Sequence, residues 1–582
     1  MADHTSGSNE KAKAVVEAFP KKLNRQALLS FASCVHCGMC NDSCHYYLAT
    51  GDPKMTPAYK ADQVRKLFKY HVDWLGRLAP AWVGGKTFTD DAQLEELKDV
   101  VFGTCTMCRR CTISCPFGVD HALMMRMTRG MLSAQGVAPE GVKVVSNDQW
   151  QTGNQMGVSQ EDYLETLAWL QDELRNEVGD PKAEIPIDKA GVNIVFVVNP
   201  REIKYAPMSL LAAAKIFYAA GEDWTMPSVG WDNTNFGLFS GDDKLGAHMG
   251  NLAYDQAIKL GVKKMVVSEC GHGFRATKWE APNWAGRDLP FPIESFLETM
   301  VEYVNTGRIM LDPSANRKPV TYHDPCNLGR SAGITEEPRF LLKRACMDYR
   351  EMTPNRQENY CCTGGGGAMS MSEYSSRRLQ VAKVKADQIK ATGAACVATA
   401  CHNCVDGLTD LIKHYKINIP VKNVCEYVAD ALVLRRAAHV TEEMPAELRG
   451  RSVLVIDDDP DVVTYLTTLL QDHGLKTFTA RNAAEGIKVA RRERPDMITL
   501  DISMPGRSGI EVFTWLRSEP EMTGIPVCIV TGAIDFRQLM YHRNVPPPDG
   551  YIEKPVKADL LLMTVRRILE IKLHKASPVG VS

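Results

Sequence analysis

Two cysteine runs near the start of the chain have the spacing of iron-sulfur ligands. Each run, C-x2-C-x2-C-x3-C, offers three thiols for one face of a [4Fe-4S] cube and a last cysteine that serves the other cube in two-cluster ferredoxins. A pair of zinc sites is the alternative, but zinc takes four tetrahedral ligands and not two interleaved triplets. We therefore assign one cubane cluster to Cys34, Cys37, Cys40 and Cys115, and the other to Cys105, Cys108, Cys111 and Cys44.

A second cysteine group follows in the segments D-P-C, C-C-T-G-G-G-G and C-H-N-C. Gly364 and Gly365, which begin the glycine run, would let the backbone approach a cluster and offer N–H groups to its sulfurs. A phosphate-binding loop is the alternative, although no G-K-[ST] follows these glycines. Five thiols are one more than a cubane needs. The sequence therefore predicts an unusual cluster held by Cys326, Cys361, Cys362, Cys401 and Cys404.

A third group of polar residues follows the apolar strands near the end of the chain. An acidic pair, a single aspartate, a threonine and a lysine would all meet at the carboxyl edge of one parallel sheet, where ligands bind. Clustered carboxylates bind Mg²⁺ through oxygen, and the central aspartate can be a nucleophile toward phosphorus. The predicted metal ligands are Asp457, Asp458 and Asp501, and the predicted phosphorylation residues are Asp501, Thr531, Lys554 and Tyr551.

The composition favours metal or redox chemistry. The chain has 582 residues with 18 cysteines, and its first residues lack an apolar signal core, so a disulfide framework is disfavoured. The net charge of -2 provides no bulk attraction to nucleic acid or to an anionic membrane. No apolar run reaches the roughly 18 residues that a membrane span needs. We therefore expect a cytoplasmic protein without a nucleic-acid partner.

The elements that position these groups divide the chain into domains. Residues 192–200 and 320–325 are each an apolar or β-branched strand that ends in Asn-Pro or Asp-Pro. Each strand is followed by helical sequence and by a later strand, which ends at Cys270 in the first case and at Cys401 in the second. This pattern indicates a repeated α/β module. The predicted fold is multidomain α/β, with a helical two-cluster ferredoxin-type domain, two α/β modules and a C-terminal doubly wound, flavodoxin-like domain.

The predicted boundaries follow the changes in composition. They are 1–25 for a polar N-terminal tail, 26–135 for the ferredoxin-type domain, 136–187 for a helical connector, 188–312 for the first module, 313–435 for the second module, 436–450 for a linker and 451–575 for the C-terminal domain. Cys346, Cys396 and Cys425 have no ligand spacing, so we expect them to be buried as small apolar residues.

Residues 25–435 resemble the CCG-domain iron-sulfur proteins, typified by the catalytic subunit of heterodisulfide reductase. That family includes the D-type fused form, the K subunit of the Dsr complex and related subunits of the Hmc and Tmc complexes. The resemblance implies that the five-cysteine motif holds a non-cubane [4Fe-4S] cluster where a disulfide is cleaved. The C-terminal domain, with its M-P-G-x-S-G run at Met504 to Gly509, closely resembles a response-regulator receiver domain.

The first module departs from the family motif. Aligning Asn199-Pro200-Arg201 with Asp324-Pro325-Cys326 leaves only Cys270 of the five cysteines, so this module is expected to hold no cluster. Its site is expected instead to shape a cavity lined by Trp231, Asn235, Cys270 and His272. The alternative is that Cys270 is a buried thiol and His272 a satisfied polar residue.

Together these features predict an oxidoreductase acting on sulfur groups. Electrons would pass through two cubane clusters to the third cluster and reduce or oxidise a disulfide or trisulfide, while phosphorylation of the Mg²⁺-bound receiver exerts control. The resemblance implies a membrane b-type cytochrome, other redox-complex subunits, a disulfide-carrying small molecule or protein, and a sensor histidine kinase as partners. The partner subunits of the redox complex would hold the protein at the inner face of the membrane. The alternatives are an iron-sulfur relay subunit of a flavin-dependent glycolate or glycerol-3-phosphate dehydrogenase, and a redox-sensing signalling protein.

Overall fold

The computed structural model describes residues 6–434, 444–504, 508–532, 548–556 and 558–576. The chain divides into two compact units. The first contains residues Met1–Tyr163, Pro186–Glu202 and Ile216–Val433, and the second contains Leu164–Ile185, Ile203–Lys215 and Leu434–Ser582. Among the described residues, no helix has the length and the apolar character needed to cross a bilayer.

Helices make up the part of the chain that carries the first two cysteine runs. The cysteines themselves lie mostly in the short loops between these helices, which leaves their thiols free to converge. The helices are α1 (Ser6–Lys22), α2 (Arg25–Ser33), α3 (His45–Thr50), α4 (Pro57–His71), α5 (Trp74–Leu78), α6 (Pro80–Val83), α7 (Asp91–Lys98), α8 (Arg110–Ile113), α9 (His121–Ala134), α10 (Glu140–Thr152) and α11 (Gln160–Val178).

Helix α1 corrects the prediction of a polar tail over residues 1–25. From residue 6 onward this segment is helical, and one of its faces is apolar with the i, i+3, i+4, i+7 spacing of a core-facing helix. That face is buried in the same hydrophobic core as helix α9. The lysines lie on the other face of the helix. The prediction was based on the polar composition of the segment and therefore missed its buried residues, which are Ala12, Val15, Val16 and Phe19.

Two four-stranded parallel sheets follow, and they share one topology. The first has the strand order β2-β1-β3-β4 and the second the order β6-β5-β7-β8. The first is built from β1 (Ile194–Val197), α12 (Pro200–Lys204), α13 (Pro207–Ala220), β2 (Trp224–Thr225), α14 (Gly237–Ser240), α15 (Asp243–Leu260), β3 (Lys264–Val267), α16 (Gly271–Arg275), α17 (Ala281–Ala285), β4 (Ile293–Ser295) and α18 (Phe296–Asn305).

The second sheet repeats this order with its own helices. Its elements are β5 (Val320–His323), α19 (Cys326–Ala332), α20 (Glu337–Ala345), β6 (Tyr349–Arg350), α21 (Ser375–Val381), α22 (Lys383–Thr392), β7 (Cys396–Thr399), α23 (His402–His414), β8 (Val421–Asn423) and α24 (Val424–Asp430). Cys270 and Cys401 are the N-cap residues of helices α16 and α23, after the equivalent strands β3 and β7. Both cysteines therefore lie at the carboxyl edges of their sheets.

The second unit contains a five-stranded parallel sheet with the order β10-β9-β11-β12-β13. Apolar residues from both faces of this sheet pack against the helices that flank it. The prediction of a multidomain α/β chain with parallel sheets is thus confirmed. The elements are β9 (Ser452–Ile456), α25 (Pro460–Asp472), β10 (Lys476–Ala480), α26 (Ala483–Glu493), β11 (Met497–Leu500), α27 (Gly509–Ser518), β12 (Val527–Thr531), β13 (Gly550–Glu553) and α28 (Ala558–Ala576).

Candidate metal centres

The eight cysteines of the two runs line two separate cavities. One cavity is lined by Cys34, Cys37, Cys40 and Cys115, and the other by Cys44, Cys105, Cys108 and Cys111, in each case with neighbouring residues. The structure therefore brings the cysteines together in the interleaved sets that the sequence pattern predicts. In the first cavity Cys37 is exposed, whereas burial, with help from Cys34, raises the pKa of Cys40 to about 11.

Two buried cations lie beside the second cavity. The Nζ atom of Lys60 is 3.5 Å from the Cys44 Sγ atom and donates a hydrogen bond of 2.6 Å to the Thr104 carbonyl. Arg129 is fully buried and donates hydrogen bonds to the carbonyl oxygens of Val101, Cys105, Phe239 and Gly366. Within the described ranges, neither cation forms an ion pair with a carboxylate.

Burying a charged side chain without a counter-charge costs free energy, so the two cations indicate that the second cavity can hold an anionic group. Burial lowers the pKa of Arg129 to about 10, and the strongest opposing influence is Cys105. An iron-sulfur cube held by four thiolates is anionic, so it would compensate the charges of Arg129 and Lys60. The donor set and these two cations together fit a [4Fe-4S] cluster.

The five cysteines of the second group converge at the carboxyl edge of the second module. All five are buried. Cys326 begins helix α19 shortly after strand β5, while Cys401 and Cys404 lie at the start of helix α23 after strand β7. The Sγ atoms of Cys362 and Cys404 are 3.3 Å apart, and the backbone N–H of Thr363 donates to the Cys361 Sγ atom at 3.3 Å.

The glycine run packs against two neighbouring backbones. A Cβ atom on Gly364 would lie 2.4 Å from the Asn403 carbonyl oxygen, and one on Gly366 would lie 2.6 Å from the Thr106 carbonyl oxygen. A side chain at either position would collide with its neighbour. At Gly365 a Cβ atom would lie 4.0 Å from the Cys326 Sγ atom, so this glycine lies next to the thiol group. The glycines thus allow the cysteine loop to sit between the two neighbouring segments.

The five-cysteine site directly adjoins the second cubane cavity. The Cys361 thiol and the Cys108 thiol share a hydrogen bond, which lowers the pKa of Cys108 and raises that of Cys361. The Thr106 hydroxyl oxygen lies 3.4 Å from the Cys361 Sγ atom. The two thiol sets are therefore in side-chain contact.

Cys270 of the first module lies at the site of the second module. Burial, together with a hydrogen bond between the Cys270 and Cys401 thiols, raises the pKa of Cys270, and the same bond lowers the pKa of Cys401. The Asn199 amide donates to the Cys270 Sγ atom at 3.3 Å, and His272 Nδ1 is 3.5 Å from that sulfur. The cavity predicted for the first module thus needs correction, because Cys270 and His272 face the second module.

The other two residues of that predicted cavity have structural partners. The Asn235 amide donates to the Gly246 carbonyl at 2.9 Å, and the Asn235 backbone N–H donates to His272 Nε2 at 3.4 Å. Trp231 stacks on Tyr163, with ring centroids 4.6 Å apart. Trp231 thus packs against an aromatic side chain instead of lining a site with Cys270.

A buried polar chain beside Cys362 is absent from the sequence-based prediction. Lys385 donates a hydrogen bond of 2.6 Å to the Asn359 side-chain oxygen, and the Asn359 amide lies 3.2 Å from Nδ1 of His323. Burial lowers the pKa of Lys385 to about 7. His323 directly precedes the D-P-C segment, which is the only sequence signal that could have indicated it.

The receiver-like site gathers the predicted carboxylates. One oxygen from each of Asp457, Asp458 and Asp501 lies within 4.8 Å of the others, which is an oxygen set that suits Mg²⁺. The Nζ atom of Lys554 is 2.6 Å from Asp501 and 2.8 Å from Asp457. Burial raises the pKa of Asp457. The Thr531 hydroxyl is 3.3 Å from that of Ser503, and the side chain of Tyr551 lies outside the described residues.

Three protein families match separate parts of the chain. The 4Fe-4S dicluster domain matches residues 30–119, the cysteine-rich CCG domain matches residues 320–408, and the response regulator receiver domain matches residues 453–566. These matches contain both cysteine runs, the five-cysteine motif and the carboxylate group. The resemblance inferred from the sequence is therefore confirmed.

Two relatives extend over most of the chain. The chain is 26% identical over 486 residues to the "Hdr-like menaquinol oxidoreductase iron-sulfur subunit" of Archaeoglobus profundus, covering 75% of this chain and 86% of that protein. It is 28% identical over 426 residues to the D-type subunit of the dihydromethanophenazine:CoB–CoM heterodisulfide reductase of Methanosarcina mazei, covering 71% of this chain and 97% of that protein.

A third relative covers only the C-terminal domain. Protein PilH of Pseudomonas aeruginosa is 34% identical over 117 residues, which are 20% of this chain and 96% of that protein. The chain therefore belongs, through residues 453–566, to the response regulator receiver family, and it joins this domain to a 4Fe-4S dicluster domain and a cysteine-rich CCG domain in a chain similar to Hdr-like iron-sulfur subunits.

Proposed function

We propose that the protein is the electron-transfer subunit of a membrane-associated redox complex that reduces or oxidises a disulfide or trisulfide, under phosphorylation control by its receiver domain. The observation that carries this proposal is the contact of Thr106 and Cys108 with Cys361, which joins the second cubane set to the five-cysteine site. Electron tunnelling weakens steeply with distance, so two adjoining sites favour transfer between them.

The proposed ligand sets follow from the grouping of thiols. Cys34, Cys37, Cys40 and Cys115 would hold one cubane cluster, and Cys44, Cys105, Cys108 and Cys111 the other. Cys326, Cys361, Cys362, Cys401 and Cys404 would hold a third, non-cubane [4Fe-4S] cluster. When bound, these groups supply one-electron redox chemistry over a wide range of potentials.

The exposure of the cysteines differs between the first cubane site and the five-cysteine site. Of the eight cysteines in the two runs Cys37 is the exposed one, so we propose that an electron-transfer partner approaches the first cubane site. All five cysteines of the third site are buried, which excludes bulk water from the sulfur chemistry. Lys60 and Arg129 place positive charge beside the second cubane site and would favour an electron there. We propose that electrons pass in the order first cubane, second cubane, five-cysteine site.

A sulfur substrate is supported by the relative named as part of a heterodisulfide reductase, which matches most of this chain. Cleavage of a disulfide consumes two electrons and two protons and yields two thiols. The five buried cysteines and the neighbouring Cys270 place a cluster of sulfur atoms at the carboxyl edge of strands β5 and β7. In the opposite direction two thiols are oxidised to a disulfide, and two electrons and two protons are released.

The proposed partners supply or remove these electrons. The relative from Archaeoglobus profundus is named as a subunit of a menaquinol oxidoreductase, which supports a membrane partner, and we propose a b-type cytochrome subunit in that role. The chain would then be held peripherally at the inner face of the membrane by its partner subunits. A sensor histidine kinase would act on Asp501, with Mg²⁺ at Asp457, Asp458 and Asp501.

Metal analysis combined with a disulfide assay tests the proposal. Anaerobically prepared wild-type protein should contain about twelve iron atoms and reduce a disulfide with a chemical donor. Cys361→Ala should keep about eight iron atoms and lose both the activity and one paramagnetic signal. Cys346→Ala is the matched control, because Cys346 is also buried but lies outside the thiol sets.

Two results would contradict the proposal. A wild-type protein with about eight iron atoms would leave the five-cysteine site without a cluster. A protein with all three clusters that reduces no disulfide, but passes electrons from a flavoprotein to a quinone, would instead be a relay subunit of a flavin-dependent dehydrogenase.

A further inference from the structure

His323 ends strand β5, and its side chain lies at the five-cysteine site. A ring nitrogen of His323 and the Sγ atoms of Cys362 and Cys404 all lie within 4.8 Å of one another. The side chain is buried, with only 1% of its surface exposed. In the described part of the chain its Nε2 atom has no nitrogen or oxygen partner, whereas the Cys362 thiol is a hydrogen-bonding neighbour of the His323 ring. Since Nδ1 is occupied by Asn359, Nε2 is the nitrogen available to the sulfurs.

The orientation of the Asn359 amide decides which nitrogen of His323 carries the proton. The Asn359 Nδ2 atom lies 3.0 Å from the backbone carbonyl of Asp324, which can only accept a hydrogen bond. On the opposite side, the Asn359 Oδ1 atom accepts from Lys385 at 2.6 Å. Both neighbours require the same orientation, so Nδ2 also donates to His323 Nδ1, and that nitrogen must be an acceptor.

A neutral imidazole with an accepting Nδ1 carries its hydrogen on Nε2. We therefore propose that Asn359, oriented by the Asp324 carbonyl and Lys385, holds His323 as the Nε2–H tautomer, which donates a hydrogen bond to the sulfurs at Cys362 and Cys404. His323 is a positioning residue in this proposal, and Asn359 and Lys385 act through it. The inference rests on the proposed function, because it requires a cluster on the five cysteines.

A donor at this position has a defined electrostatic effect. Hydrogen bonds to the sulfurs of an iron-sulfur site are among the factors that set its reduction potential. Reduction adds negative charge to the thiolates, so a donated hydrogen bond stabilises the reduced state more than the oxidised state. His323 should therefore raise the potential of the third cluster and leave the potentials of the two cubane clusters unchanged.

The experiment compares four variants of the full-length protein by electron paramagnetic resonance during redox titration. His323→Leu removes the donor, while His323→Gln keeps an amide N–H at a similar reach. Asn359→Asp keeps the histidine but replaces the donating amide with an acceptor, which draws the proton to Nδ1. Asn355→Asp is the matched control for the added charge, since it lies in the same loop and its amide donates to the Met352 carbonyl.

We expect the potential of the third cluster to fall in His323→Leu and Asn359→Asp, and to stay close to wild type in His323→Gln and Asn355→Asp. A proton coupled to this cluster and exchangeable in deuterium oxide should be detected by electron-nuclear double resonance in wild type. It should be absent from His323→Leu and Asn359→Asp. This second measurement keeps the proposal testable if His323→Leu does not fold, because Asn359→Asp keeps the imidazole.

Three outcomes separate this inference from the proposed function. Unchanged third-cluster potentials in His323→Leu and Asn359→Asp, with about twelve iron atoms retained, would overturn the hydrogen-bond assignment alone. A strong coupling to a nitrogen bound directly to iron would also overturn it, because His323 would then be a ligand. A wild-type protein without a third cluster would overturn the proposed function instead.

Discussion

The hydroxyl oxygen of Thr106 lies 3.4 Å from the Sγ atom of Cys361. Thr106 lies in the loop of the second cysteine run, whereas Cys361 belongs to the CCG domain. This pair, with the adjoining thiols of Cys108 and Cys361, forms the contact between the cubane set and the five-cysteine site. The neighbouring Gly366 permits it, because a side chain there would collide with the Thr106 backbone.

Replacing Thr106 by valine should lower the reduction potential of the third cluster. The hydroxyl can donate to a Cys361 thiolate, and a hydrogen bond to a charged group contributes about 1.5–3 kcal/mol, of which only part differs between redox states. A shift of roughly 30–60 mV is expected for one electron. Redox titration of Thr106→Val against Thr106→Ser, which keeps the hydroxyl, checks this. Equal potentials in the two variants would contradict it.

Replacing Lys60 by methionine should lower the potential of the second cubane cluster. The Lys60 ammonium is buried and lies 3.5 Å from Cys44 Sγ, so its loss removes positive charge that favours the reduced cluster. A unit charge about 6 Å from the cluster corresponds to a shift on the order of 100 mV at an effective dielectric constant near 20. Lys54→Met, which removes an exposed lysine, is the control. An equal shift in both variants would rule out a local effect.

Cys270→Ala should retain about twelve iron atoms. Cys270 is hydrogen-bonded to Cys401 but lies outside the five-cysteine motif, so its loss should change the environment of the third cluster and leave its ligands in place. Iron analysis and the shape of the paramagnetic signal measure the two effects separately, with Cys401→Ala as the comparison that loses the cluster. If Cys270→Ala contained only about eight iron atoms, Cys270 would have to be a ligand.

Asp501 should accept phosphate from a small acyl-phosphate donor when Mg²⁺ is present. Asp457 and Asp458 supply further oxygen ligands, and Lys554 places a positive charge 2.6 Å from Asp501. Asp501→Asn or chelation of Mg²⁺ should abolish labelling, which mass spectrometry of the intact protein can measure. Partner affinity and turnover should then differ between the two phosphorylation states of the wild type. Equal values in both states would make the receiver a passive domain.

The Mg²⁺ affinity of the receiver should weaken as the pH falls. Burial raises the pKa of Asp457, so this carboxyl group becomes protonated at a higher pH than an ordinary aspartate. A protonated carboxyl group does not bind the cation, and below that pKa the affinity should fall by about tenfold per pH unit. Calorimetric titration with Mg²⁺ between pH 7.5 and 5 measures this. A constant affinity across that range would show that Asp457 stays ionised.

The sequence predicted the groups whose spacing along the chain determines their chemistry. Triplets of cysteines at short intervals must converge, and aspartates that end neighbouring parallel strands must meet at one edge. It did not predict that Lys60 and Arg129 lie buried beside thiols, because a basic residue in a helix is usually solvent-exposed. The contact of Cys270 with Cys401 was also missed, since it depends on how two modules pack together and the two cysteines are far apart in the sequence.

The contrast between the exposed Cys37 and the buried five-cysteine site implies an order in which oxygen would damage the protein. Thiolate oxidation follows solvent access, so air should reach the first cubane cluster before the third. On the proposed electron path, a preparation exposed briefly to air would therefore lose its connection to the electron donor before the five-cysteine site is damaged. Activity measured with a physiological donor would decay first, and activity measured with a small reductant that reaches the inner sites would outlast it.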